Sequence, residues 1–278
     1  MCMAALGTQT GGSIIRPAAY CGVSGLKPTY FPESMRGIVP VSFHLDHVGP
    51  IARSVADLSI VQSAMIRNKS SSSPFHRAPT LCRLDEYFLD QADNAVRVAY
   101  EAAMEQIGSA DWKNAPRLPD SFSQLHQHHW TVMAVDAAQV HREAFEKFPE
   151  KFSPKVAALI EEGLSTSLTD YVAALRHQHE FRVEITRKMR AGSLLVMPAT
   201  PTTAPGPETT GDAKFNSPWS YCGLPAVTIP CGLDEQGLPF GLQIVGAHHG
   251  ERELLSAAAW CEERLDRLTY DGLPRPSN

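Results

Sequence analysis

A Gly-Gly-Ser segment close to the N-terminus constrains this chain most. Gly11 and Gly12 precede Ser13, and the residues that follow can form a helix. Because glycine lacks a Cβ atom, the backbone there can turn sharply and approach a ligand closely. The amides of Thr10 to Ser13 can then converge on one point and stabilise an oxyanion beside a nucleophilic Ser13. The alternative is a glycine-rich turn in which the Ser13 hydroxyl caps the following helix.

Long blocks of sequence extend this segment. Residues 5–28, 36–40, 45–57, 223–232 and 237–246 together resemble the amidase signature family, whose members cleave amides with a Ser–Ser–Lys triad. The resemblance covers residues 4–57 and about 194–265, whereas no family motif is found in residues 68–193. It implies that Ser13 is the nucleophile, and that four residues form the oxyanion hole: Thr10, Gly11, Gly12 and Ser13.

The other two members of that triad are missing from the sequence. In the family, an upstream lysine activates the nucleophile through a second serine, which lies in a loop shortly before the nucleophile. Here Ser13 is the first serine and Lys27 the first lysine. Lys27 belongs to a separate family motif (residues 25–29), so it is not the triad lysine. Because a serine hydroxyl without a base is a poor nucleophile, we expect weak or absent activity from this chain.

Four interpretations of function remain open. The first is an amidase-family hydrolase that cleaves the C–N bond of a small carboxamide through an acyl-enzyme on Ser13. The second is a catalytically dead subunit that serves in binding or assembly, and the third is an amidotransferase A-type subunit. The fourth is an active half whose lysine and second serine come from another chain. Gln9 stands where many members have aspartate, which favours acyl- or aryl-amidases over amidotransferase subunits.

Composition excludes several other classes. The formal net charge of the 278 residues is −5 and no basic block occurs, which argues against a nucleic-acid partner. No apolar run is long enough to span a bilayer, and no secretory signal follows Met1, so we expect a cytoplasmic protein without a membrane partner. The expected partners are an amide substrate and either a second copy or a chain that supplies the missing N-terminal part.

Cysteines and histidines give no sign of a metal or cofactor. No two cysteines have C-x-x-C spacing, so we expect reduced and mostly buried thiols, with Cys21 in the core. His126 and His129 have the i, i+3 spacing of helical metal ligands, but no Cys or carboxylate motif accompanies them. We therefore predict a solvated polar helix face. Four other histidines lie near family motifs and are expected in surface loops or at the mouth of the site: His44, His47, His248 and His249.

The predicted fold is one α/β domain over residues 1–278, incomplete at its N-terminal side. The resemblance implies a mixed, twisted β-sheet covered by helices on both faces. A capping box at Ser54 predicts a helix to about residue 67 that is buried on more than one side. Further elements follow from periodicity. Helices are expected over 91–107, 121–148, 168–190 and 251–265, strands over 194–197, 227–229 and 241–245, connectors over 68–79 and 111–120, and a loop over 199–212.

Overall fold

Eight strands and eight α-helices make up the part of the chain that the computed structural model describes, residues 2–66, 78–189 and 193–265. The strands are β1 (Ala4–Gln9), β2 (Ser24–Lys27), β3 (His47–Ala52), β4 (Thr80–Arg83), β5 (Asp111–Asn114), β6 (Ser193–Pro198), β7 (Ala226–Leu233) and β8 (Pro239–Val245). The helices are α1 (Ile15–Tyr20), α2 (Val55–Met65), α3 (Asn94–Gln106), α4 (Leu125–Lys147), α5 (Pro154–Ser165), α6 (Leu168–Lys188), α7 (Ser217–Tyr221) and α8 (Glu251–Glu262). None of these helices is long and apolar enough to cross a membrane.

All eight strands form one mixed sheet in the order β1-β3-β2-β7-β8-β6-β4-β5. Strand β4 runs parallel to β5 and β6, and the other neighbouring pairs are antiparallel. The predicted mixed α/β sheet is therefore confirmed. Strand β1 lies at one edge, and its last residue, Gln9, pairs with His47. The Gly-Gly-Ser segment follows directly, so it sits at the end of the sheet where β1 and β2 finish and β3 and β7 begin.

Two glycines let α1 lie directly on this sheet. A Cβ atom on Gly241 of β8 would stand 2.5 Å from the Cβ atom of Ala19, and one on Gly25 of β2 would stand 2.8 Å from that of Ala18. Real Cβ atoms do not approach so closely, so only glycine permits this packing. Because α1 begins two residues after Ser13, the same contact fixes the position of the candidate nucleophile relative to the sheet.

Helix α2 begins as predicted but is buried differently. Ser54 is its N-cap, and the Ser54 hydroxyl accepts a hydrogen bond from the Asp57 amide at 3.2 Å. Burial on more than one side was a wrong expectation, since Ile60 on the outer face is 69% exposed. The helix packs on β1, β2 and β3 and on α8, and Ile60 on its outer face stays exposed.

The remaining predictions were confirmed in large part. The four later helices and three strands lie where periodicity placed them, and Gly237 turns the β7–β8 hairpin with φ at +79°. The connector over 111–120 was partly wrong, because residues 111–114 form β5. That strand is polar and lies at the sheet edge beside β4, so its pairing depends on tertiary contacts. Most of the predicted 68–79 connector and residue 190 lie outside the described residues.

Candidate active site

The loop from Thr10 to Ser13 joins β1 to α1 and presents its amides without acceptors. Its first three carbonyl oxygens all accept hydrogen bonds: Thr10 O from His129 Nε2 at 3.1 Å, Gly11 O from Ser220 Oγ at 2.8 Å, and Gly12 O from Arg16 N at 2.9 Å. Within the described ranges, the N–H groups of Gly11, Gly12 and Ser13 donate to no protein atom. Amides without acceptors are one condition for an oxyanion hole.

Gln9, rather than Ser13, caps helix α1. The Gln9 Oε1 atom accepts hydrogen bonds from the amides of Ile14 at 2.8 Å and Ile15 at 3.0 Å. The N-cap position is Ile14, and no side-chain cap comes from it. The alternative in which the Ser13 hydroxyl caps this helix is therefore wrong. The Ser13 side chain is exposed instead, and it makes no hydrogen bond to a residue that the structure describes.

The segment that precedes α7 closes one side of the loop. A Cβ atom on Gly12 would lie 2.7 Å from Asn216 Oδ1 and 3.1 Å from the Cβ atom of Ala213, so this position requires glycine. The Asn216 amide is itself anchored, because it donates to Ala199 O at 2.9 Å and to Gln243 Oε1 at 3.1 Å. The predicted loop over 199–212 is confirmed, since it contains no helix or strand, and its Gly211 carbonyl accepts a hydrogen bond from the Arg16 guanidinium of α1 at 2.9 Å.

Lys27 is buried away from the Ser13 hydroxyl. Its Nζ atom donates to Leu224 O at 2.5 Å and to Pro28 O at 3.1 Å. Burial lowers the pKa of Lys27 to about 7, and nearby Cys222 and Glu251 oppose that shift. The side chain is thus a structural donor to two carbonyls. Among the described residues, no lysine, histidine or second serine is hydrogen-bonded to Ser13.

The histidines on α4 are not a solvated face, so that prediction was wrong. His129 is buried, and burial lowers its pKa to about 4, which keeps the ring neutral while Nε2 donates to Thr10 O. His126 lies within 2.9 Å of Tyr87 OH and within 3.2 Å of Ser217 Oγ. His129 is buried and His126 is half-buried, and α4 itself packs against α5, α6 and α7. The described residues include no group of three His, Cys, Asp or Glu that could hold a metal ion.

A buried carboxylate pair lies behind the loop. Asp46 Oδ1 accepts from Thr10 Oγ1 at 2.6 Å, and Asp136 Oδ2 accepts from Ser42 Oγ at 2.6 Å and from His44 Nδ1 at 2.9 Å. Burial alone would raise the pKa of Asp136, but hydrogen bonds from His44, Ser42 and Tyr171 outweigh it and hold the pKa below its usual value. Sequence reasoning missed this pair, since neither the capping nor the metal-spacing patterns include it.

The other expected loop histidines and the cysteines are divided between surface and core. His44 and His248 are partly exposed and His249 is exposed, whereas His47 is buried in β3, so its surface assignment was wrong. Cys21 is exposed, which corrects the expected core position. It follows α1 directly as the C-cap residue. The buried thiols confirm the general expectation: Cys82, Cys222, Cys231 and Cys261.

Comparisons with known proteins find relatives and solved structures that are similar to most of this chain. The profile of the Amidase family matches residues 1–255. The A subunit of glutamyl-tRNA(Gln) amidotransferase from Synechococcus sp. strain RCC307 is 29% identical over 95% of this chain and 64% of its own length. The putative amidase AmiD from Mycobacterium bovis is 26% identical over 92% of this chain and 59% of its own. A solved amidase structure is 30% identical and superposes with a TM-score of 0.86 over 95% of this chain and 63% of that one.

These matches cover most of this chain but only part of each relative. The chain spans less than two thirds of the length of the relatives it matches, and the matched part includes both the Thr10–Ser13 loop and the tail strands β7 and β8. The profile match extends over far more than half of the chain. Because the family profile matches residues 1–255 and the fold superposes on that of a solved amidase, the chain belongs to the amidase family.

Proposed function

We propose that this protein hydrolyses the C–N bond of a small carboxamide, with Ser13 as the nucleophile. The observation that supports this most is the exposed Ser13 hydroxyl beside three amides without acceptors, those of Gly11, Gly12 and Ser13. In the reaction, Ser13 Oγ attacks the amide carbon and its proton passes to a base. The amides stabilise the oxyanion, the protonated amine leaves, and water then hydrolyses the acyl-enzyme.

The base and the second hydroxyl are proposed to come from a segment outside these 278 residues. No lysine in the described ranges reaches Ser13, and the matched relatives are longer than this chain. Such a segment, from the same polypeptide or a partner, would dock where β1 forms the edge of the sheet. A large apolar side chain is exposed on that strand, Leu6 (60% exposed), and another on the outer face of α2, Ile60 (69% exposed). Without the segment, we expect very slow turnover.

A role as one subunit of a larger assembly is the second candidate. The amidotransferase relative, whose name describes it as a subunit, supports it, as does the absence of a base beside Ser13 among the described residues. In that case the same edge of the sheet would serve assembly. The two candidates differ in one measurable property, which is whether the Ser13 hydroxyl becomes reactive once a segment with a base is present.

A fluorophosphonate probe tests the proposal. The 278-residue chain and a form extended before Met1 by the upstream segment of an amidase relative are each labelled, and the adduct is located by peptide mass spectrometry. We expect Ser13 to be labelled, faster in the extended form, and labelling to vanish in Ser13→Ala but not in the exposed control Ser123→Ala. Persistent labelling of Ser13→Ala would refute the assignment of the nucleophile, and an unreactive Ser13 in both forms would favour the assembly role.

A further inference from the structure

Each carbonyl in the Thr10–Ser13 loop belongs to the same rigid peptide unit as the amide of the next residue. The peptide bond is planar and trans, so a carbonyl and the following N–H point in opposite directions. A hydrogen bond that fixes the Thr10 carbonyl therefore also fixes the direction of the Gly11 N–H. In the same way, the partner of the Gly11 carbonyl sets the Gly12 N–H, and the partner of the Gly12 carbonyl sets the Ser13 N–H.

The partners of the first two carbonyls are buried side chains from distant elements. His129 of α4 donates to Thr10 O at 3.1 Å, and Ser220 of α7 donates to Gly11 O at 2.8 Å. The third partner is the Arg16 amide of α1, a backbone group. His129 is neutral at physiological pH, so it binds the carbonyl through a single N–H and adds no charge beside the loop. Ser220 is completely buried and accepts from Gln9 Nε2 at 3.0 Å, which leaves its proton for Gly11 O.

A second contact prevents Thr10 from rotating. The Thr10 hydroxyl donates to Asp46 Oδ1 at 2.6 Å, while Asp46 Oδ2 accepts from the amides of Val41 and Ser42 at 2.7 and 3.1 Å. Asp46 is only 3% exposed. Thr10 is thus held at its side chain from one direction and at its carbonyl from another, so the peptide between Thr10 and Gly11 has one orientation.

Helix α4 supports both contacts. His129 and Asp136 are seven residues apart, which places them on one face of the helix, about two turns from each other. His129 contacts the loop directly, and Asp136 accepts from Ser42 Oγ at 2.6 Å, next to the backbone that holds Asp46. This helix lies within the stretch in which no family motif is found, so its contribution to the loop comes from tertiary packing.

We propose that His129 and Ser220 are positioning residues that aim the amides of Gly11 and Gly12, respectively, at the oxyanion. This inference rests on the proposed function of the same loop and deepens it. It assigns one side chain to one amide, so the effects of the two residues are separable. Removing His129 disturbs the Gly11 amide first, and removing Ser220 disturbs the Gly12 amide first.

Nuclear magnetic resonance of the 278-residue chain, labelled with 15N-glycine, tests the directions of the Gly11 and Gly12 amides without requiring any catalysis. In His129→Leu we expect the Gly11 amide signal to shift and broaden, whereas His129→Gln, which keeps an N–H donor, retains it. His128→Leu is the matched control, because its ring packs on His177 with no bond to the loop. In Ser220→Ala the Gly12 signal moves instead. An unchanged Gly11 signal in His129→Leu, or identical patterns in the two variants, would overturn the inference.

The extended form gives the functional readout. With misdirected amides we expect the rate of Ser13 labelling and kcat to fall about tenfold or more, with KM nearly unchanged, since the lost contact acts in the transition state. His129→Gln should restore most of the rate. If the glycine signals move as expected and labelling stays at the original rate, the positions are confirmed but the loop is not an oxyanion hole, and the proposed function fails. If His129→Leu does not fold, Ser220→Ala carries both measurements.

Discussion

Gln9 Nε2 donates a hydrogen bond to Ser220 Oγ at 3.0 Å, across a sequence separation of 211 residues. The oxygen of the same side-chain amide, Gln9 Oε1, accepts hydrogen bonds from the backbone amides of Ile14 and Ile15 at the start of α1. One buried amide group therefore joins the end of β1, the start of α1 and the α7 region that closes the loop. A carboxylate at this position could still cap α1, but its oxygen could only accept from Ser220, which would redirect the serine proton.

Replacing Gln9 tests this junction. Gln9→Leu leaves the Ile14 and Ile15 amides buried without an acceptor, so we expect the free energy of unfolding to fall by about 1–3 kcal/mol. The exposed residue Gln127 provides the control, and Gln127→Leu should change stability by less than about 0.5 kcal/mol. Urea denaturation at neutral pH measures both. Equal stability of the two variants would show that Gln9 does not cap α1 in solution.

Burial of Lys27 predicts a stability that rises with pH. The folded-state pKa is about 7 and the ordinary value is 10.5, so between these values the unfolded chain binds more protons than the folded one. Stability should therefore increase from pH 7 to 8.5, and Lys27→Met should remove that contribution. Urea midpoints at both pH values provide the measurement, with exposed Lys147→Met as the control. If stability rises with pH as steeply in Lys27→Met as in the original protein, burial of Lys27 is not the cause of the rise.

The contact between Asp136 and His44 predicts a contribution to stability that falls as pH rises, opposite to that of Lys27. The Asp136 carboxylate, which accepts from His44 Nδ1, raises the pKa of His44 above its ordinary 6.5, against a smaller opposing effect of burial. The stabilisation of the folded state by the ion pair of His44 with Asp136 is fully present below pH 6.5. It is lost as pH rises through the folded-state pKa of His44.

Asp136→Asn should abolish this dependence. We also expect it to lower stability by about 1.5–3 kcal/mol, because buried hydrogen bonds to a charged acceptor are lost. The proton signals of the imidazole report the His44 pKa directly, and His179→Gln, at an exposed site on α6, is the control. A His44 pKa that stays raised in Asp136→Asn would rule out the carboxylate as its cause.

The apolar edge at β1 and α2 predicts self-association. Leu6 is exposed on the edge strand β1 and Ile60 on the outer face of α2, and exposed strand edges and apolar side chains promote association. We expect the purified chain to sediment as oligomers and to bind a hydrophobic dye, and the double variant Leu6→Lys with Ile60→Lys to reduce both. Val98→Lys removes an apolar side chain from α3, away from this edge, and is the control. A monomer that binds no dye would show that the edge needs no partner.

The sequence alone determined the features whose causes are local. Gly11, Gly12 and Ser13 follow one another in the chain, so their capacity for a sharp turn could be predicted without a structure. The cap at Ser54 and the apolar periodicity of α6 and α8 depend on residues within a few positions of each other. These elements were predicted correctly because their hydrogen bonds and periods lie within a single segment.

Only the tertiary structure decided which polar side chains serve the loop. His129 reads as a polar residue on a polar helix, and nothing local distinguishes it from His128, yet one is buried against Thr10 and the other is partly exposed. Gln9, Ser220 and Asp46 likewise acquire their partners across long separations. A buried polar group is stabilised when another element supplies its hydrogen bond, so the fold, and not the local pattern, selects the side chains that hold the loop.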